Sequence, residues 1–326
     1  MKYCGGFNMK KYVIGVDLGG TKITTAISDL TGKIVEKTTL ATGSHLGEEV
    51  VMERIFESIS MVLEASGISS EEVRAIGIGA PGPLDSEKGI IITTPNLPFR
   101  NYNVVKPIEN RFGVKTYLDN DANAAAIGEY TFGAGKGTRH MIYITVSTGV
   151  GGGAVLNGRP YRGNTSNALE VGHMTIEPFS KHQCNCGKFG DLEALASGTA
   201  IAKRAKEAVL EGRETSLKDI ETITSYEVHQ AYLEGDKVAM EILENAFMYM
   251  GIGIANLIVN FDPEVIVIGG GVTKIGDLFF EKVKESARKR SFDFMFDATK
   301  ILPAELGQEA GVVGAVALAL IESEEK

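Results

Sequence analysis

Tyr12-Val-Ile-Gly-Val-Asp17-Leu-Gly-Gly-Thr-Lys22 is the stretch from which the fold can be read. A short apolar run ending in a carboxylate reads as a buried strand. Leu18-Gly-Gly-Thr-Lys22 then turns the chain sharply, and Ile23 to Ser28 reads as the returning strand of a hairpin. Thr31-Gly32 makes a second turn before Ile34 to Thr39. A helix is expected from Glu48 to Ala65, where Val51, Ile55, Ile59, Val62 and Leu63 share one face. Val73 to Gly79 is another apolar strand, closed by Ala80-Pro-Gly-Pro83.

The second half repeats this opening. His140 to Val146 reads as a strand, Ser147-Thr-Gly-Val-Gly-Gly-Gly153 as a glycine-rich turn, and Ala154 to Leu156 as the start of the return. Val265-Ile-Val-Ile268 again runs into glycines, Gly269-Gly-Gly271. Three strand-to-glycine junctions in one chain point to loops that converge on one ligand, and a duplicated α/β lobe would set them across a cleft. Helices are expected at Lys237 to Asn260, Asp277 to Lys289 and Ala310 to Glu322. The lobe boundary falls within 117–139. The expected division is an N-terminal extension (1–11), a small lobe (12–120) joined by the C-terminal helix (310–326), and a large lobe (121–309).

At 326 residues the chain can hold two cores, and 44% apolar with 23% charged residues is ordinary for a globular protein. A net charge of −9 argues against a broad nucleic-acid surface, which needs clustered cations, but not against a nucleotide, which a few oriented amides can hold. Lys10-Lys11 leads into an apolar run too short for a signal peptide. Ala246 to Phe261 is short of the ~20 residues of a membrane span and contains Asn256 and Asn260, so a buried helix is expected there. Cys4, Cys184 and Cys186 do not make a disulfide framework; they suit a reducing, cytoplasmic setting and raise the question of a metal. Residues 1–8 precede a second methionine, Met9, and show no pattern.

Four constellations carry chemistry. In Asp17-Leu-Gly-Gly-Thr-Lys22 the glycines allow close backbone approach to phosphate oxygens, Thr21 and Lys22 add a hydroxyl and a cation, and Asp17 can hold magnesium through water. The same residues would also serve a plain hairpin turn, and the Gly-to-Lys spacing is not that of a Walker loop. Ser147 to Gly153 is a second phosphate-facing candidate. Asp119-Asn-Asp-Ala-Asn123 lies where a strand passes into a helix; capping explains one such residue, whereas a carboxylate there can also accept a hydroxyl proton as a phosphoryl group arrives. Finally, Glu170-Val-Gly-His173 and Cys184-Asn-Cys186 through Asp191 and Glu193 hold a His, two thiols and carboxylates, enough for a tetrahedral zinc shell or for a loop with two free thiols.

Taken in order, Asp17 to Lys22, Gly79-Ala-Pro-Gly82, Asn120-Asp-Ala-Asn123, Ser147 to Gly152, Glu170 to His173, Cys184-x-Cys186-Gly187 and Gly269 to Gly271 resemble the ROK family of sugar kinases and regulators over nearly the whole chain. The resemblance is strongest to its ATP-dependent glucokinases. It implies an α/β, actin-like (ribonuclease H-like), two-lobed sugar-kinase fold with duplicated βββαβα-type lobes. It implies Asp121 as catalytic base, and Gly82, Asn96, Asn120, Glu170, His173 and Glu193 on the sugar. Gly19, Gly20, Thr21, Lys22, Thr148 and Gly149 would meet phosphates, with Gly269, Gly270 and Gly271 near the adenosine. ATP and Mg2+ are the implied cofactors, a hexose, first of all glucose, the partner, and a homodimer or homotetramer the assembly, with no nucleic acid and no membrane. Mannose, fructose, allose and N-acetylmannosamine are the other acceptors. A sugar-responsive repressor is the rival within the family; such proteins carry a helix-turn-helix domain ahead of the kinase-like part, for which the strand ending at Asp17 leaves no room. An inactive sugar-binding protein is a further rival, which Asp121 and both loops speak against. The family's zinc motif usually has a third cysteine where this chain has Asp191. A structural Zn2+ held by His173, Cys184, Cys186 and Asp191 within segment 173–193 is therefore the expectation, since a carboxylate binds zinc at a distance similar to imidazole.

Overall fold

The computed structural model describes residues 10–94 and 96–324. Residues 1–9 of the expected N-terminal extension, with Cys4 and Met9, lie outside them. The chain forms two compact units. The first takes the chain through Lys136, then Pro160–Ala168, then Gln308 onward; the second takes Gly137–Arg159 and Leu169–Gly307.

In the first unit β1 (Tyr12–Leu18), β2 (Lys22–Asp29) and β3 (Ile34–Ala41) form an antiparallel meander, followed by α1 (Glu48–Ser66) and β4 (Val73–Ala80). A small antiparallel sheet of β5 (Leu84–Asp85), β6 (Ile90–Thr93) and β7 (Arg100–Asn103) leads to α2 (Val105–Phe112), β8 (Thr116–Asn120) and α3 (Asp121–Phe132). The main sheet has the order β3-β2-β1-β4-β8, with β4 parallel to both of its neighbours. Central β1 and β4 are almost wholly buried and read as continuous apolar runs, whereas edge strand β3 alternates in exposure. Helix α1 buries Val51, Ile55, Ile59 and Val62 on this sheet and stops at Gly67, whose left-handed backbone (φ 68°) closes its C-terminus.

The second unit opens with β9 (Met141–Val146), β10 (Val150–Leu156) and β11 (Arg159–Pro160). Next come α4 (Leu192–Ala196), α5 (Gly198–Leu210), α6 (Ser225–Leu233), α7 (Lys237–Phe261), β12 (Val265–Gly269), α8 (Asp277–Arg288), α9 (Asp293–Ala298) and β13 (Lys300–Pro303). Its sheet order, β11-β10-β9-β12-β13, repeats that of the first unit: a meander with two parallel strands added beside its first strand. Helix α7 is the one helix among the described residues long and apolar enough to cross a membrane. It packs instead against α4, α5, α6 and α8, burying Ile242, Phe247, Ile254 and Ile258 in the core of this unit, as the apolar stretch 246–261 led us to expect.

The first unit is completed by α10 (Ala310–Ser323), which packs on β1, β4 and α3. Gly15 and Gly77 face each other in the β1–β4 register and leave a bare groove for it. A Cβ on Gly15 would lie 2.4 Å from Val316 N, and one on Gly77 would lie 2.1 Å from Ala315 O. Backbone thus meets backbone here, which is the use of glycine inside a strand.

Candidate functional site

The turn after β1 is a tight hairpin pinned from the side. Gly19 N–H donates to Lys22 O (3.0 Å), while Thr42 donates its N–H to Thr21 O (2.9 Å) and its hydroxyl to Gly19 O (2.6 Å). Gly20 has no room for a side chain: a Cβ there would lie 2.6 Å from that of Asn96, which places Asn96 directly on this loop. Thr21 and Lys22 are exposed. Asp17 points its carboxylate at the first turn of α10, where a Cβ on Gly311 would come within 2.5 Å of Oδ2. Burial pushes the Asp17 carboxyl above its ordinary value, with Lys22 partly opposing.

The acid and amide run at the β8–α3 junction divides into distinct jobs. Asp119 is fully buried and accepts from Arg162 Nε (2.6 Å), Asn123 Nδ2 (2.9 Å) and Asn120 N–H (2.8 Å). Asn120 caps α3, its Oδ1 accepting from Ala122 N–H at 2.9 Å. Its amide nitrogen faces Gly82, where a Cβ would lie 3.0 Å away. Asp121, the first residue of α3, is exposed, and its Oδ1 also accepts from Ala122 N–H (2.8 Å). Gly82, Asn96, Asn120 and Asp121 therefore all sit in the first unit, at a strand end, in the loops beyond strands or at the first residue of α3.

In the second unit the turn Ser147–Gly149 is held by Ser147 N–H to Gly149 O (2.9 Å) and by the start of α5, where Gly198 N–H donates to Ser147 O (2.8 Å). Glu193 reaches over this turn: its Oε2 accepts from Val150 N–H at 2.9 Å, and a Cβ on Gly149 would sit 2.3 Å from that oxygen. Gly149 is thus demanded by the approach of a carboxylate, a reason its local sequence does not reveal. Gly270 (φ 97°) and Gly269 press against Val146 O and Tyr143 Oη, so they seat the β12 turn on β9. Gly271 instead lines a cavity of about 930 Å³ together with Ser147 and Thr148. Its remaining wall includes Lys203 and Lys206 of α5 and the apolar side chains of Ile223, Tyr226 and Val272, and among the described residues no carboxylate lines it. This matches the size of a small-molecule site. Sequence reasoning missed Lys203 and Lys206; their three-residue spacing on a helix that starts at Gly198, beside the Ser147 turn, was the available signal.

His173, Cys184, Cys186 and Asp191 come together as expected, with one donor atom from each lying within 4.8 Å of all the others. His173 Nδ1 is 3.3 Å from Asp191 Oδ2 and 3.8 Å from Cys184 Sγ, and Cys186 Sγ is 3.6 Å from Asp191 Oδ2. Zinc–ligand bonds of about 2.0–2.3 Å make tetrahedral edges of roughly 3.3–3.8 Å, the range in which these three separations fall. Burial pushes the Cys184 thiol up. Cys184 Sγ also lies 3.5 Å from Glu193 Oε1, linking this cluster to the Gly149 turn. Glu170, exposed, precedes the single-turn 3₁₀ helix Val171–His173 that carries the histidine.

A family model described as ROK family matches residues 13–322. The chain belongs to the ROK family. It is 36% identical over 308 residues to a glucokinase of Halalkalibacterium halodurans, covering 93% of each chain. It is 33% identical to a putative xylose repressor of a Caldicellulosiruptor species, covering 94% of this chain and 78% of that one. Among solved structures, a ROK family glucokinase from Streptomyces griseus in complex with glucose and AMPPNP aligns with a TM-score of 0.74 at 34% identity, over 94% of this chain and 99% of that one. The ROK chain accordingly has the actin-like α/β sugar-kinase fold, its two five-stranded sheets being the duplicated unit of that fold.

Proposed function

We propose that the chain is a cytoplasmic, ATP- and magnesium-dependent hexose kinase whose acceptor is the 6-hydroxyl of glucose. The observation that carries this reading is the sorting of the β8–α3 junction: Asp119 and Asn123 are spent inside the fold, while Asp121 offers an exposed carboxylate at a helix start. The glucokinase relative, and the neighbour holding glucose with an ATP analogue, point the same way.

In this reading Asp121 takes the proton of the attacking hydroxyl. The sugar oxygen bonds to the γ-phosphorus as the bond to the β–γ bridging oxygen breaks, and ADP leaves. Asn120, Gly82 and Asn96, with Glu170, His173 and Glu193, orient the sugar. The turns Gly19–Lys22 and Thr148–Gly149 hold the phosphates, and the cavity beside Gly271 takes the nucleoside, with Lys203 and Lys206 close to its anionic part. Asp17 would hold Mg2+ through water, and that ion would neutralise charge on the phosphates. Zn2+ on His173, Cys184, Cys186 and Asp191 would be structural, because four protein ligands leave no open position; it would fix the loop carrying His173 and Glu193. The working assembly in this reading is a homodimer or homotetramer.

The test is magnesium-dependent ADP release across glucose, mannose, fructose, allose and N-acetylmannosamine. Glucose is expected to give the highest kcat/KM. Asp121→Asn is expected to lower kcat by about 10²–10⁴-fold while sugar affinity stays within threefold; near-normal turnover in that variant sinks the base assignment. The repressor relative supports a second reading, a sugar-responsive regulator. Sugar binding without turnover on any hexose would favour it.

A further inference from the structure

Arg162 lies at the centre of a part-buried charge cluster to which the proposed reaction gives no part. Its Nε donates to Asp119 Oδ2 at 2.6 Å, and its Nη2 donates to Glu322 Oε1 of α10 at 2.7 Å. Asp119 has no exposure and sits directly before Asn120 and Asp121. Its second oxygen receives the Asn120 N–H and the Asn123 side chain, so it holds the last residue of β8 and the first turn of α3 at once. A buried carboxylate left without its cation would be heavily penalised, so the pair is kept or lost as a unit. The planar guanidinium fork suits this role, since it can serve two carboxylates in fixed directions where an ammonium is a single point charge.

The segment that brings Arg162 to this place is itself fastened. Asn167 exchanges hydrogen bonds with the backbone of Leu84, its Oδ1 accepting the N–H (3.3 Å) and its Nδ2 donating to the carbonyl (3.2 Å). The Ser166 and Ser86 hydroxyls meet at 2.8 Å, holding Ser166 at a φ of 62°, which a non-glycine residue adopts rarely. Pro160–Ala168 is thus a strap on the first unit, tied next to Gly82 near its C-terminal end and to Asp119 near its start.

We infer that Arg162 is a positioning residue: through Asp119 it fixes the start of α3, and with it the direction of the Asp121 carboxylate. Arg162 touches neither sugar nor phosphate in this assignment. The inference rests on Asp121 being the base, and its consequence for rate follows from the steep dependence of such reactions on placement.

The test compares Arg162→Lys and Arg162→Met with the wild-type chain by steady-state kinetics and by hydrogen–deuterium exchange over residues 119–125. In Arg162→Lys, which keeps a charge beside Asp119 and is expected to stay folded, kcat is expected to fall at least about tenfold with KM for both substrates within threefold. Arg162→Met is expected to lose about 10²-fold in kcat. In both, amide exchange over 119–125 should quicken at least tenfold while peptides in β1 and α7 keep their protection. A role confined to global stability would lower the melting temperature and quicken exchange everywhere, with kcat per folded molecule unchanged; that result overturns the proposal. So does unchanged exchange over 119–125 in the methionine variant. Failure of the underlying reading looks different: Asp121→Asn would keep its turnover, while the exchange measurement still decides whether Arg162 holds the start of α3.

Discussion

Asp191 divides two tasks between its two oxygens. Oδ1 accepts the Ala194 N–H at 2.8 Å and caps α4, while Oδ2 faces His173 and Cys186. A cysteine here would have a single donor atom for both. Burial works to raise this carboxyl, but the Ala194 N–H and the surrounding Cys184, His173 and Cys186 outweigh it and hold it below the ordinary carboxylate range. It is therefore ionised at neutral pH, as a metal ligand must be. Asp191→Asn, which keeps an oxygen for the cap, is expected to lower zinc affinity at least about tenfold, read as the metal-to-protein ratio after dialysis against a chelator. Full zinc retention would remove Asp191 from the ligand set. At this scale the sequence was legible where local spacing decides, as in the gathering of His173, Cys184, Cys186 and Asp191. It was not legible where a distant partner decides: the acid and amide run looked like one signal, and only the Arg162 pairing shows that Asp119 faces inward and Asp121 outward.

Strands that end in glycine, and helices with a clean apolar face, were evident as elements. Helix α1 runs Glu48–Ser66 against an expected 48–65, and α7 runs Lys237–Phe261 against an expected 237–260. Helices α5 and α6 were not read, because their residues carry no chemical motif; yet they wall the cavity beside Gly271. The start of α7 shows how one residue fixes an element. Asp236 accepts from Val238 and Ala239 N–H through Oδ1, and from Thr215 and Ser216 through Oδ2. Burial pushes its carboxyl up, but these donors prevail and hold it at about 2, against an ordinary 3.8. A depressed folded value stabilises the fold fully above the unfolded value and loses that effect as pH falls through the folded one. Asp236→Asn is therefore expected to cost about 1 kcal/mol at pH 7, discounted for solvent screening at a part-buried site. Urea titrations should show the gap from wild type narrowing between about pH 4 and pH 2. A gap independent of pH would mean that the charge of Asp236 is not what stabilises α7.

At the scale of the whole molecule, the sequence showed the duplication through its repeated strand-and-glycine openings, and both sheets have the same strand order. What it did not show is the use of Gly15 and Gly77, which looked like ordinary strand residues until α10 was seen lying on them. Gly77→Ala would force the new methyl against the Ala315 carbonyl, and backbone cannot give way as a flexible side chain can. The expected loss is about 1–3 kcal/mol in denaturant titration, borne by the first unit. No change in the midpoint would mean that α10 can shift without penalty. The same groove has a consequence for how the protein is made. Its sheet is complete in outline once β8 has left the ribosome, yet the helix that fills it begins 190 residues later, at Ala310. At translation rates of about 5–20 residues per second, that strip of backbone waits on the order of tens of seconds for its cover. Throughout that interval the nascent first unit is a natural client for a chaperone, while everything needed for the second unit is already synthesised before α10 appears.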